Sequence, residues 1–150
     1  MREHPDHHDA DLLLRLYDLR REAKLREARE WFVQKFHADS PEDFAVQVPR
    51  GTKEHAYYRM VSGYWDMAAS LVHHGLINEE LFFENTGEFW VVWQKMKHLV
   101  PPTRQALKNP LMLKSLEGLS EKYEKWMSLR APEALEALRA LLISRPPQKS

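Results

Sequence analysis

Histidine and aspartate are concentrated at the start of the chain, where His4, His7 and His8 alternate with Asp6 and Asp9. Tracts rich in histidine can bind metal ions, and His4 and His8 are spaced for one face of a helix. The competing interpretation is a frayed terminus in which Asp9 caps the first helix. We favour that interpretation, and we assign no metal ligand and no cofactor to the chain.

The sequence lacks the short motifs that identify common catalytic sites. No histidine has a glutamate three residues before it, as the di-iron centres of helical bundles require. The His-Glu-x-x-His motif, the phosphate-binding P-loop and the Gly-x-Ser-x-Gly elbow are also missing. Because the chain has no cysteine, thiolate metal sites and cysteine nucleophiles are excluded. We identify no catalytic residue and lean towards a protein that is not an enzyme.

A stripe of polar side chains follows one face of a predicted helix over residues 53–74. Its members recur every three or four residues and are Arg59, Ser62, Asp66, Ser70 and His73. Arg59 and Asp66, together with Arg104 further along the chain, are the candidate ligand-binding residues. They suit an anionic ligand because arginine offers fixed donors to carboxylate or phosphate. The alternative is that the stripe is only the exposed edge of the helix.

Charge is unevenly placed, although 22 basic and 22 acidic residues give a net charge of zero. Residues 76–88 carry four acids and no base, whereas residues 89–116 carry five bases and no acid. Acids at i,i+4 spacing repel one another along a helix, and a basic partner would relieve this repulsion. That partner could be the adjacent basic segment, folded back onto the helix, or another subunit. We predict an interaction surface here, formed by Glu80, Glu84, Lys95 and Lys97. Pairing within the chain, or plain solvation, is the alternative.

The composition is that of an ordinary globular protein, with 43% hydrophobic and 29% charged residues in 150. That is enough to build the core of about one domain. A neutral chain argues against a nucleic-acid-binding protein, for which a basic domain is expected. No apolar stretch reaches the ~18–20 residues of a membrane span, and no secretory signal follows the first residue. We expect a cytoplasmic protein without a membrane span.

Helical spacing of apolar residues predicts an all-α fold. We predict a single domain of about six helices over residues 9–144, with flexible segments at residues 1–8 and 145–150. The helix at residues 53–74 is apolar around most of its circumference, which is typical of a central helix packed by several neighbours. Gly63 within that helix indicates the close approach of another backbone.

Capping residues and prolines predict where the other helices begin and end. The first helix is predicted to run from Asp9 to about His37. Ser40 and Asn78 are the N-caps of two later helices, and Gly75 ends the helix at residues 53–74. The helix that follows Asn78 extends past Gly87, with a break or bend, and ends at the Pro101-Pro102 pair.

Two segments resemble the signatures of a known protein family. One is Leu25-Arg26-Glu27-Ala28-Arg29-Glu30-Trp31-Phe32, and the other begins with Gly75-Leu76-Ile77-Asn78-Glu79-Glu80-Leu81 and continues through Gly87, Trp93, Arg104 and the Leu116/Leu119 helix. Over residues 12–127 the chain is similar to an uncharacterised bacterial all-α family that is known only as a domain of unknown function. The resemblance implies an all-α fold, and it implies no activity and no catalytic residue.

The chain departs from this family in two places. Many members are similar to membrane-anchored proteins, with a transmembrane helix ahead of this region. Here Asp6 to Asp9 stand where such an anchor would end. The Pro101-Pro102 pair also departs from the family's usual run.

The leading hypothesis for function is a non-enzymatic helical interaction or scaffold protein that acts as a homodimer. It rests on the long charged first helix, the segregated charges and the missing catalytic motifs. The alternative is a small-ligand-binding protein or enzyme with a polar pocket beside the central helix. In a third, RNA-associated role, Trp90 and Trp93 would stack bases beside the basic segment. We favour no nucleic-acid partner and leave the protein partner unidentified.

Overall fold

The computed structural model describes residues 4–143, and this part of the chain folds into nine α-helices and one 3-10 turn. They are α1 (His7–Arg20), α2 (Ala23–Gln34), α3 (Pro41–Gln47), α4 (Lys53–His73), α5 (Glu79–Asn85), α6 (Glu88–Met96), α7 (Val100–Leu107), α8 (Lys114–Arg130) and α9 (Ala134–Leu142), with the 3-10 turn at Lys97–Leu99. The predicted all-α class is confirmed, and residues distant in sequence share one hydrophobic core. The termini that we predicted to be flexible lie partly outside the described residues, at residues 1–3 and 144–150.

The prediction of one helix from Asp9 to His37 is wrong, because the chain breaks between α1 and α2. The carboxylate of Glu22 accepts hydrogen bonds from the N–H groups of Lys24 and Leu25, at 3.0 and 2.9 Å. These bonds make Glu22 the N-cap of a new helix. The same backbone bonds hold the pKa of Glu22 below its usual value.

Asp9 has a different role from the N-cap that we predicted. Asp6 caps α1, and Asp9 is the third residue of the helix, where its carboxylate completes a capping box by accepting from the N–H of Asp6 at 2.7 Å. Its other oxygen accepts from the N–H of Asn78, also at 2.7 Å. Asp9 is fully buried. It therefore ties the start of α1 to the start of α5.

Most of the other predicted helix ends are confirmed. Ser40 accepts from the N–H of the third residue of α3 at 3.0 Å, and Asn78 does the same in α5 at 2.9 Å. Gly75 follows α4 with a φ of 75°, the left-handed region that glycine tolerates. The prediction for Pro101 and Pro102 is wrong, because they lie in the first turn of α7, where a missing N–H breaks no helical bond.

The helix that starts after Asn78 is interrupted at Gly87, where we expected a break or bend. A Cβ atom on Gly87 would lie 2.8 Å from the hydroxyl oxygen of Tyr123 in α8, so only glycine fits there without a shift. The interruption starts a new helix at Glu88. Separate short helices such as α5 and α6 are the reason that nine replace the predicted six.

The central position of α4 is confirmed, since it packs against α2, α5, α6 and α8. Its fully or almost fully buried side chains are Val61, Trp65, Ala68, Ala69 and Val72. The opposite face is open, with Met60 36% exposed and Met67 45% exposed. Gly63 lies on this open face, and a Cβ atom built on it meets nothing within 4 Å. The predicted close approach of another backbone to Gly63 is therefore wrong.

Replacing Gly63 with alanine is expected to raise the free energy of unfolding by about 0.5–1 kcal/mol. Alanine has the higher helix propensity and loses less backbone entropy on folding, and the site has room for its methyl group. Gly87→Ala is the matched comparison. It is expected to lower the free energy of unfolding, because its methyl group would press on Tyr123. Urea denaturation of both variants measures the difference. The same direction of change in both would contradict the packing described.

An aromatic cluster forms the core where α4, α5, α6 and α8 meet. Phe89 is fully buried, and its ring centroid lies 5.0 to 6.3 Å from those of Trp65, Phe82, Phe83 and Tyr123. The neighbouring tryptophans of α6, at positions 90 and 93, are also buried in the core. Among the helices of residues 4–143, none combines the length and the apolar character needed to cross a membrane.

Candidate ligand-binding pocket

Asp66 and Arg104, two of the predicted ligand-binding residues, each bond to a residue in the first turn of α8. Asp66 accepts from the N–H of Leu116 at 3.0 Å. Arg104 donates from Nε to the carbonyl of Met112 at 2.8 Å and pairs with Glu117 at 3.3 Å. Both side chains fasten α8, which has no side-chain cap of its own, to its neighbours. The third residue, Arg59, lies exposed on α4. A shared ligand site for all three stays a prediction.

Two of the three acids of α5 form ion pairs with α8 within the chain. Glu79 pairs with Lys122 at 3.5 Å, and Glu80 pairs with Arg130 at 3.4 Å. Both bases belong to α8 and not to residues 89–116, the segment we first considered. Glu84 is exposed and remains a candidate for an interaction surface. The alternative of pairing within the chain is thus confirmed for the first two acids.

Lys95 lies inside the protein, although we predicted it on an interaction surface. Its side chain is buried, and Nζ donates to the carbonyls of Phe32 and Val33 at 2.7 and 3.0 Å. These carbonyls belong to the last turn of α2, where no helical N–H reaches them. Desolvation lowers the pKa of Lys95 to about 8. Lys97 is exposed and donates to Gln94 at 2.8 Å.

The buried amine predicts that the protein becomes more stable as the pH rises above 8. The pKa of Lys95 is about 8 in the folded chain against an ordinary 10.5, so the unfolded chain binds more protons between these values. From pH 8 to pH 9, below the range in which tyrosines ionise, we expect the free energy of unfolding to rise by about 1 kcal/mol, and Lys95→Met to remove this rise. Denaturation at three pH values tests it, and a flat profile for the unsubstituted chain would contradict it.

A cavity of about 170 Å³ opens beside α4, between this helix, α1 and α5. One part of its wall is apolar and consists of Leu13, Leu16, Trp65 and Phe82. Another part is polar and consists of Arg20, Asn85 and Thr86. We call this cavity the Arg20 pocket. The alternative hypothesis from the sequence placed a pocket beside the central helix, but with other residues.

Arg20 supplies the positive charge of the pocket. It is the last residue of α1, and its Nη1 donates to Thr86 Oγ1 at 3.3 Å. Its guanidinium carbon lies 5.0 Å from the centroid of the Tyr17 ring and 5.8 Å from that of Trp65, which is within the range of cation–π attraction. No carboxylate of residues 4–143 lies within 4.0 Å of this guanidinium. Donors of Arg20 therefore remain for a ligand.

Glu88 holds two sides of the pocket in place. Its carboxylate accepts from Nε and Nη2 of Arg29 at 2.7 and 3.0 Å, and from the indole N–H of Trp65 at 3.0 Å. The two parallel bonds to one guanidinium are of the strong, bidentate kind. Arg29 also donates to the backbone carbonyl of Arg20 at 3.0 Å. This network positions both the indole of Trp65 and the end of α1 that carries Arg20.

Tyr64 fastens α1 to α4 at the same place. Its hydroxyl donates to the backbone carbonyl of Leu16. Burial raises the pKa of Tyr64 to about 12, although the positive charges of Arg20 and Arg29 act to lower it. The hydroxyl therefore stays protonated, and able to donate, at any physiological pH.

The sequence analysis missed Arg20 and Glu88 as site residues. Arg20 stands in a run of charged residues that we interpreted as a solvated helix face. Its partner Thr86 is 66 residues away along the chain, and Glu88 is 59 residues from Arg29. In a continuous helix, Glu88 would extend the row of mutually repelling acids Glu80 and Glu84. The only signal in the sequence that Glu88 instead begins a new helix was the glycine at position 87.

A comparison with protein families matches residues 5–126 to the model of a domain of unknown function, DUF4760. The matched range contains all the lining residues of the Arg20 pocket and the network of Glu88. No curated protein and no solved structure matches the chain.

Proposed function

The chain belongs to this DUF4760 family, and we propose that it binds a small amphipathic carboxylate in the Arg20 pocket. One observation carries the proposal: a guanidinium without a carboxylate partner among the described residues lines a cavity with apolar walls. Pockets of this kind, mostly apolar with a few placed polar groups, are the usual form of small-ligand sites.

A carboxylate with a short apolar chain matches the pocket in charge, polarity and size. Its two oxygens would accept from the guanidinium of Arg20, a geometry that arginine favours. The apolar chain would pack against Leu13 and Leu16, which removes apolar surface from water. About 170 Å³ corresponds to roughly five or six waters at ~30 Å³ each. This volume suits a ligand of the size of butanoate.

Calorimetric titration with butanoate tests the proposal. We expect Arg20→Gln to weaken binding at least tenfold, because glutamine has neither the charge nor the donor fork of arginine. Arg15→Gln is the matched control, since Arg15 is exposed on the same helix and does not line the pocket. Butylamine, with the opposite charge, should not bind. Equal butanoate affinity in the unsubstituted chain and Arg20→Gln, or no binding to either, would contradict the proposal.

A second candidate function is self-association, the homodimeric interaction or scaffold role that the sequence analysis favours. The observation in its favour is the open face of α4, where Met60 and Met67 are exposed on either side of Gly63. Exposed apolar side chains in one patch are typical of association surfaces. Native mass spectrometry should then give a dimer for the unsubstituted chain and a monomer for Met60→Glu. A monomer at every concentration tested would contradict this role.

The location proposed for either function is the cytoplasm. A chain without cysteine needs no oxidising compartment to fold, and this supports the expectation from the sequence. Fractionation of cells that produce the protein at its natural level would test it.

A further inference from the structure

A second cavity, of about 280 Å³, lies beside Lys95 and shares no lining residue with the Arg20 pocket. Its wall comes from the segment between α2 and α3, from the end of α6, from the 3-10 turn and from Ile143 after α9. The titratable residues that line it are His37, Asp39, Lys95 and His98. We call it the Lys95 cavity.

Lys95 is a buried cation with no carboxylate beside it in the described part of the chain. It is 7% exposed, and desolvation is the only cause of its lowered pKa, with no opposite charge to offset it. An ammonium group has three N–H donors, and two of them serve the carbonyls of Phe32 and Val33. A buried charge without a counter-ion is costly. An anion in the cavity would accept the third donor and offset this cost.

The acid that lines the cavity is already paired. Asp39 accepts from Nε2 of His37 at 2.8 Å, and its side chain is largely exposed. The other imidazole of the cavity, His98, is held by a contact of 2.6 Å between Nε2 and the carbonyl of Ala38. Asp39 is therefore engaged by His37 and does not neutralise Lys95. The rings of His37 and His98 both lie at the wall of the cavity.

Gln94 connects the cavity to three further charges. Its Oε1 accepts from Lys97 Nζ at 2.8 Å and from Arg139 Nη1 at 3.0 Å. Its Nε2 donates to Glu124 at 3.2 Å. Together with Lys95 and Asp39, this makes three cations against two carboxylates, before either histidine is protonated. The charge around the cavity therefore favours an anion.

We propose that the Lys95 cavity binds a small free oxyanion of the sulfate or phosphate type through the third N–H of Lys95. The volume accommodates such an ion together with several waters, at ~30 Å³ each. Binding needs the ammonium form, so it is coupled to the protonation of Lys95.

Sulfate is the probe, because its charge is constant over the pH range of the test. Amide NMR spectra are recorded as sodium chloride is exchanged for sodium sulfate at constant ionic strength. We expect saturable shifts for the amides of Ala38 and His98. Between pH 7 and pH 9 the affinity should fall about tenfold, since the ammonium fraction of a group with a pKa of about 8 falls by that factor.

Two variants separate this site from general attraction of anions. Lys95→Met should lose the saturable shifts, whereas Lys24→Met should keep them, because Lys24 is exposed and does not line the cavity. Unchanged sulfate affinity in a folded Lys95→Met would overturn the proposal. If Lys95→Met does not fold, the sulfate titration of the unsubstituted chain at several pH values still tests the proposal. Linear shifts, an affinity independent of pH, or a loss completed below pH 7, where ordinary histidines titrate, would each overturn it.

Discussion

Replacing Phe89 with alanine is expected to lower the free energy of unfolding by about 4 kcal/mol. Phe89 is fully buried, and rings of Trp65, Phe82, Phe83 and Tyr123 surround it. The substitution removes a large apolar side chain, leaves a cavity that rigid rings fill poorly, and deletes four aromatic contacts. Urea denaturation followed by circular dichroism measures the loss.

Phe89→Leu is the matched control for this prediction. Leucine refills most of the volume without the ring, so its cost should be well under that of alanine. The order of stability should be phenylalanine, then leucine, then alanine. A chain with alanine at position 89 that is within 1 kcal/mol of the unsubstituted one would show that the aromatic cluster is not the core that joins these helices.

Replacing Glu88 with alanine is expected to lower the free energy of unfolding by about 3 kcal/mol. The change leaves the guanidinium of Arg29 and the indole N–H of Trp65 without their acceptor. The side chains of Glu88 and Arg29 are both 21% exposed. The cost is therefore at the low end of that for breaking a fully buried ion pair. The loosened wall should also weaken butanoate binding. Denaturation and a butanoate titration of the same variant measure both effects.

Glu84→Ala is the control for the loss at Glu88. Glu84 is also an acid of this region, but it is exposed at the surface of α5. Its replacement should change the free energy of unfolding by no more than about 0.5 kcal/mol. If the two variants lost the same stability, the network around Glu88 would have no special role in holding α1, α2 and α4 together.

Features that depend on a few consecutive residues could be predicted from the sequence. Ser40, Asn78 and Gly75 were assigned correctly, because a cap is decided by bonds to residues within one turn. The capping role of Glu22 was not predicted, because a glutamate there can form an ion pair within a continuous helix or cap the start of a new helix. Packing of α1 and α2 against other helices decides between these two states. The family resemblance, predicted over residues 12–127, is confirmed by the match over residues 5–126.

The candidate sites depend on contacts that no local pattern contains. Thr86 and Arg20 are 66 residues apart, and the carbonyl of Phe32 lies 63 residues before Lys95. Lys95 follows the hydrophobic run of α6. Because lysine is rarely buried, its residue type predicts an exposed side chain. The free carbonyls at the end of α2 explain its burial. A family without an established activity gave no guide to either site.

The measurement that tests the proposed function most directly is the detection of NMR contacts between protein and ligand. With isotope-labelled protein and unlabelled butanoate, we predict nuclear Overhauser contacts from the methylene protons of butanoate to the methyl groups of Leu13 and Leu16 and to the indole of Trp65. These residues form the apolar wall of the Arg20 pocket. Contacts only to the exposed methionines of α4, or none at a saturating concentration, would contradict the proposal.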